Sequence, residues 1–169
     1  MKTNLTYLLI FFLAIQTGFA QKKKQDVSPE FQALIDVVDN QQYQFVPKET
    51  SSATGEKFDL TMSRAYFRST GKEIAVMLPY WGTPQGVTPY NNIDISNVLF
   101  KGEPTSYKVK INYKKEKIYV KFSGKQNSEI LSFSLTLQPN TTSTLLVTSS
   151  VRTSARYKGD LRPFNPSND

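Results

Sequence analysis

From Gln42 to Lys158 the chain alternates apolar and polar residues with a period of two, and nothing in that span repeats at helical spacing. Such alternation marks strands with one buried face. It runs over residues 43–47, 58–68, 73–81, 93–100, 107–113, 117–123, 130–138, 143–149 and 153–158. Turn residues punctuate the runs at Thr70-Gly71, Lys101-Gly-Glu-Pro104, Ser123-Gly124 and Pro139-Asn140. Strands spaced this way with no helix between them pair antiparallel, and a long meander cannot stay flat without exposing its edges and one apolar face. The expected fold is mainly β: an antiparallel meander of eight or nine strands, curled into a barrel or a sandwich, with one short N-terminal helix.

Part of the pairing follows from the residues themselves. A two-residue turn at Lys115-Glu116 sets Tyr113 against Ile118, Ile111 against Val120 and Val109 against Phe122, apolar against apolar throughout. Carried onward, the pairing sets Phe122 against Leu131, Val120 against Phe133 and Ile118 against Leu135, so three strands share a core face. Leu145 and Val147, or Leu146, continue that face. The outward face then carries Lys110 opposite Lys121 and Lys114 opposite Lys117, with Lys108 beside them. Outward lysines ordinarily keep a sheet soluble, with Glu116 and Glu129 placed to shield them. The functional alternative is a basic face, Lys108, Lys110 and Lys121, that docks something acidic such as lipid headgroups, an anionic glycan or a protein of the envelope. Only Tyr119 interleaves with these lysines, so no nucleic-acid partner is expected.

The most individual stretch is residues 73–92. Ile74, Val76, Leu78 and Tyr80 alternate with Ala75, Met77, Pro79 and Trp81, so both faces are apolar and the strand is expected near the centre of the fold. Pro79 cannot donate to a ladder and belongs at a strand end or edge. The loop that follows has no regular period, and long loops in compact domains often carry function. Tyr80, Trp81 and Tyr90 therefore have two readings: a plug closing one end of the core, or a platform for a small apolar or glycan ligand.

At the other end, Lys2 precedes an apolar run from Leu5 to Ile15, and Gly18-Phe-Ala20 has the small residues of a cleavage site. Residues 1–20 are expected to be a signal peptide, the run being shorter than the roughly 20 residues a bilayer span needs. The chain has no cysteine, so neither a covalent lipid anchor nor a disulfide is possible. Residues 21–27 read as a polar tether, 28–160 as one β-rich domain and 161–169 as a C-terminal tail. Removing the leader from 169 residues leaves enough chain for one core without staples. The expectation is a periplasmic or secreted protein with no transmembrane span after cleavage. Its single helix starts at Ser28 as cap with Pro29 in the first turn, and Phe31, Leu34, Ile35 and Val38 make an apolar stripe ending near Asn40.

Chemistry is bounded by what is missing. With no histidine and no cysteine, no Ser-His-Asp or Cys-His site can be built and the commonest soft metal ligands are gone. The carboxylates are scattered singly, Asp94 being the best placed, and no nucleophile-elbow, phosphate-loop or calcium-loop spacing occurs. No catalytic residue, metal or cofactor is expected, and the protein is read as a non-enzyme. The net charge of +7, from 21 basic and 14 acidic residues, fits an acidic partner without requiring one. Arg64, Arg68, Arg152 and Arg156 are the strand arginines. They are expected to pair with carboxylates or stack on aromatics, the sharper option being anion binding at a barrel mouth.

Several of these features recur in a fixed order: a leader ending in Ala-Gln-Lys-Lys, a helix before the first strand, Leu60-Thr61 leading to Tyr66-Phe-Arg68, Leu78-Pro-Tyr-Trp-Gly82, Pro89-Tyr90, the Phe100-Lys-Gly-Glu-Pro104 turn and Arg152 to Gly159. In that order they resemble the domain-of-unknown-function 4251 family over nearly all of the chain after residue 20. The resemblance implies an exported Bacteroidetes-type protein with an antiparallel β fold and an uncharacterised role in which no functional residue is assigned. Some members carry a lipoprotein cysteine, from which this chain departs.

Overall fold

The computed structural model describes residues 26–51, 55–79, 97–126 and 128–165. The expected signal peptide, the loop with Tyr80, Trp81 and Tyr90, and Asp94 lie outside the described residues. Among the described residues one α-helix, α1 (Pro29–Asp39), precedes ten strands: β1 (Gln42–Ser51), β2 (Lys57–Asp59), β3 (Tyr66–Thr70), β4 (Ile74–Pro79), β5 (Asn97–Gly102), β6 (Ser106–Asn112), β7 (Lys117–Gln126), β8 (Glu129–Leu137), β9 (Ser143–Ser149) and β10 (Ala155–Pro163). The last strand thus continues into the first three residues of the segment expected as a tail.

All pairings are antiparallel, and the strands form one sheet in the order β5-β4-β3-β1-β10-β9-β8-β7-β6, with β2 paired to β1 off this path. The two ends of the row, β5 and β6, are consecutive in the chain and joined only by Glu103, Pro104 and Thr105. A sheet whose ends are tied by so short a link has to roll up. The result is a barrel-like wall with one open seam, where β5 and β6 are not hydrogen-bonded to each other.

Alternate residues of each strand fill the interior: Ile74, Val76 and Leu78 from β4, Ile118, Val120 and Phe122 from β7, Leu131, Phe133, Leu135 and Leu137 from β8. The middle is solid. Phe67 of β3 stacks on Phe122 of β7 at 5.0 Å, although β1, β10, β9 and β8 lie between them along the sheet, and Phe122 stacks on its cross-strand partner Phe133 at 4.4 Å. Opposite walls therefore meet through their aromatic rings.

The helix forms as expected. Ser28 Oγ accepts from Phe31 N, Pro29 opens the first turn, Asn40 caps the end, and Phe31, Ile35 and Val38 are buried with Leu34 packed beside them. The cap also reaches across the fold. Ser28 donates from its N and its Oγ to the Glu116 carboxylate, at 2.7 and 2.8 Å, and Phe31 meets Tyr113 edge-on.

Four expectations need correction. The β6–β7 connection is not a two-residue turn: Tyr113–Lys115 make a 3-10 turn, Asn112 Oδ1 accepts from Lys115 N, and Glu116 takes a left-handed conformation. That four-residue turn moves the register by two, so Ile111 faces Ile118, Val109 faces Val120 and Tyr107 faces Phe122. A shift of two keeps every side chain on its expected face. The β7–β8 ladder, whose innermost pair is Gln126–Glu129, also differs from the expected register by two, so Phe122 faces Phe133 and Val120 faces Leu135.

Second, Ser123-Gly124 is not a turn but the middle of β7. A Cβ on Gly124 would lie 2.3 Å from the Phe100 ring, so this glycine is the seat on which β5 rests. Third, the run from Phe58 to Arg68 breaks into β2 and β3, because Asp59 accepts from the Thr61 amide and Ser63 N donates back to Leu60, a local turn that outcompetes the ladder. Fourth, β4 lies next to one end of the row and not near its centre. Its second apolar face, Ala75 and Met77, is half-buried beside Tyr66 and Leu99 of the flanking strands.

Pro47 sits within β1, where a proline is normally excluded, and the ladder to β10 shifts register between Pro47 and Glu49. Gly159 faces that irregularity, and a Cβ there would lie 2.1 Å from Val46 O. Backbone cannot yield as a side-chain tip can. Gly159→Ala is therefore expected to destabilise the fold by about 1–3 kcal/mol, measured by chemical denaturation.

Candidate functional site

Lys108, Lys110 and Lys121 come together on the outer face of the β6–β7 hairpin. In the observed register Lys108 faces Lys121 and Lys110 faces Tyr119, in place of the expected Lys110–Lys121 and Lys114–Lys117 pairs. With Asn112 and Tyr119 they line a shallow groove of about 470 Å³. All three lysines are exposed, and among the described residues none forms an ion pair. The two glutamates expected to shield them are committed elsewhere, Glu116 to Ser28 and Glu129 to Arg152. Like charges facing each other across a ladder repel, so a bound anion would relieve a tension that the protein's own carboxylates leave in place.

A second assembly lies where β4 ends and β5 begins. Pro79 and Asn97 are cross-strand partners, and the chain between them carries Tyr80, Trp81 and Tyr90, outside the described residues. Pro79 is the last described residue of β4, and its carbonyl accepts from Tyr157 Oη at 2.8 Å. The Asn97 carbonyl accepts from Arg152 Nη1 at 3.1 Å.

Arg152 grips Glu129 with two parallel bonds, Nε to Oε1 and Nη2 to Oε2, both 2.8 Å, with each side chain 2% exposed. Ser149 Oγ donates to the same carboxylate at 2.5 Å. The guanidinium is thus spent on Glu129 and Asn97 and does not serve as an anion site. Arg68 follows the same structural logic, lying 4.3 Å over Tyr66 and 4.7 Å over Phe164 while donating to Gln44 Oε1.

A pair of tyrosines bridges β1 and β6. The Tyr43 and Tyr107 hydroxyls lie 3.0 Å apart. Burial pushes the Tyr43 hydroxyl well above its ordinary value of 10.0, and Tyr107 rises for the same first reason, so both stay protonated and bonded at neutral pH.

Glu129 and the Ser28–Glu116 bridge had no signal in the residue pattern. A glutamate beside a turn reads as solvated, and only the fold brings Arg152 to it. Among the described residues no cluster of three or more His, Cys, Asp or Glu is placed to hold a metal, and no helix is long and apolar enough to cross a membrane.

A rolled antiparallel wall around an aromatic core, with one helix capped against a hairpin turn, defines a small mainly-β protein. The chain belongs to the family described as Domain of unknown function (DUF4251), whose family model matches residues 25–161. It is also similar to the crystal structure of a DUF4251 family protein from Bacteroides eggerthii DSM 20697, at 16% identity and a TM-score of 0.61, over 79% of this chain and 87% of that one. At that identity the likeness concerns the fold. No curated protein matches the chain.

Proposed function

We propose that this is an exported, non-enzymatic binding module of the cell envelope, acting after removal of residues 1–20 and holding its ligand with Tyr80, Trp81 and Tyr90. The observation that supports this reading is the bracing of both stems of the segment that carries them. Tyr157 holds the Pro79 carbonyl, and the buried Arg152–Glu129 pair holds the Asn97 carbonyl. Recognition loops work when a rigid scaffold fixes their ends, and here one buried ring and one buried ion pair serve those two positions.

Trp81 is the sole tryptophan and reports directly on the idea. The protein isolated from its own envelope is expected to begin at Gln21 by intact mass and to carry a small molecule in native mass spectrometry. Releasing that molecule should raise acrylamide quenching of Trp81. A Trp81 shielded equally with and without it, together with retention of the molecule after deletion of residues 83–88, would defeat the loop as binding site.

A second reading is a protein–protein role for the basic face, favoured by three exposed lysines around Tyr119 that have no carboxylate partner among the described residues. The two readings can be tested independently.

A further inference from the structure

The two ends of the sheet are finished differently. At one end Phe100 of β5 is laid over Gly124 of β7, and β5 buries Val98 and Phe100. At the other end β6 is exposed over most of its length. Its Val109 points to the core side yet is 39% exposed, although Val120, which it faces, is fully buried. Among the described residues no strand pairs with the outer side of β6, so a row of backbone N–H and C=O groups has no ladder partner there.

We propose that β6 is a strand-addition site for an extended acidic segment of another protein, one that alternates apolar residues with aspartate or glutamate. An added strand would place its core-side residues beside Tyr107, Val109 and Ile111 and cover the open flank of Val109. Its outward residues would lie beside Lys108 and Lys110, with Lys121 one strand further in. Lysines on an edge ordinarily serve only to repel other edges. A strand that served for repulsion alone would not leave a core-side valine open along that same edge.

The lysines also decide against a second copy of this chain as occupant. Pairing two β6 strands antiparallel about Val109 sets Lys108 of each copy against Lys110 of the other. Slipping by one residue turns the lysines onto the partner's apolar side. An acidic, alternating partner satisfies both faces at once.

This inference rests on the basic-face reading above, and its test separates the two. A labelled peptide of alternating valine and glutamate, as long as β6 (7 residues), is titrated by anisotropy while amide hydrogen exchange is followed along β6. The expected result is binding that weakens with salt and slows exchange of the β6 amides. The Lys108→Glu/Lys110→Glu variant should bind that peptide about tenfold more weakly and prefer a valine–lysine peptide, a gain that also shows the variant is folded. Equal binding of polyglutamate with unchanged β6 exchange would overturn strand addition and leave the basic face standing. Failure of both peptide and polyglutamate to bind would overturn both.

Discussion

Arg152→Met is expected to lower the unfolding free energy by about 3–5 kcal/mol, because it strands the Glu129 carboxylate in a site where each side chain is 2% exposed. That is a large share of the roughly 5–15 kcal/mol that holds a domain together. The companion variant Arg152→Met/Glu129→Leu is expected to recover most of the loss, since removing both charges also removes the cost of keeping them from water. Arg152→Lys should not recover it. A single ammonium cannot reproduce the two-pronged grip on Glu129 together with the bond to the Asn97 carbonyl. Urea denaturation of the three variants checks all these outcomes, and a double variant no better than the single one would show that Glu129 is not left stranded.

Phe122→Ala is expected to cost a similar amount, about 3–5 kcal/mol, for an unrelated reason. Phe122 is the middle ring of the stack that joins Phe67 to Phe133, so its loss opens a hole where opposite walls meet. Neighbouring side chains cannot close it without shifting both walls. Phe122→Leu should lose clearly less than Phe122→Ala, and denaturation midpoints at a constant denaturant slope would show it. Loss of the native slope itself would mean that the rings define the state as well as stabilise it.

The residue pattern predicted the β architecture because period-two alternation is a local property, and six of the eight pairings along the row join strands that are consecutive in sequence. It also predicted the helix, whose cap, proline and stripe are all contained within Ser28 to Asn40. It missed the β6–β7 register by two residues because the turn type depends on Asn112 bonding to Lys115 N, a detail invisible to an apolar count. Gly124 misled for a related reason. In isolation Ser-Gly reads as a turn, and the need for a bare Cα arises only once Phe100 arrives from another strand. The candidate lysines were legible as a group, since their face survives a shift of two. Their isolation from Glu116 and Glu129 was not, because both glutamates find their partners across the fold.

The position of β1 between β3 and β10 has a consequence for how the molecule comes into being. The strands from β6 to β9 can zip up in order, each against the one just made, but β1 cannot be enclosed until β10 exists. Residues such as Tyr43 and Pro163, paired in the finished wall, are among the earliest and latest parts of the domain to be synthesised. Closing so long a loop is entropically expensive, and topologies of this sort fold on the slow side, in milliseconds to seconds. A nascent chain can therefore pair its first strand with β2 and β3 early, but leaves the other side of that strand without its ladder until synthesis is nearly complete.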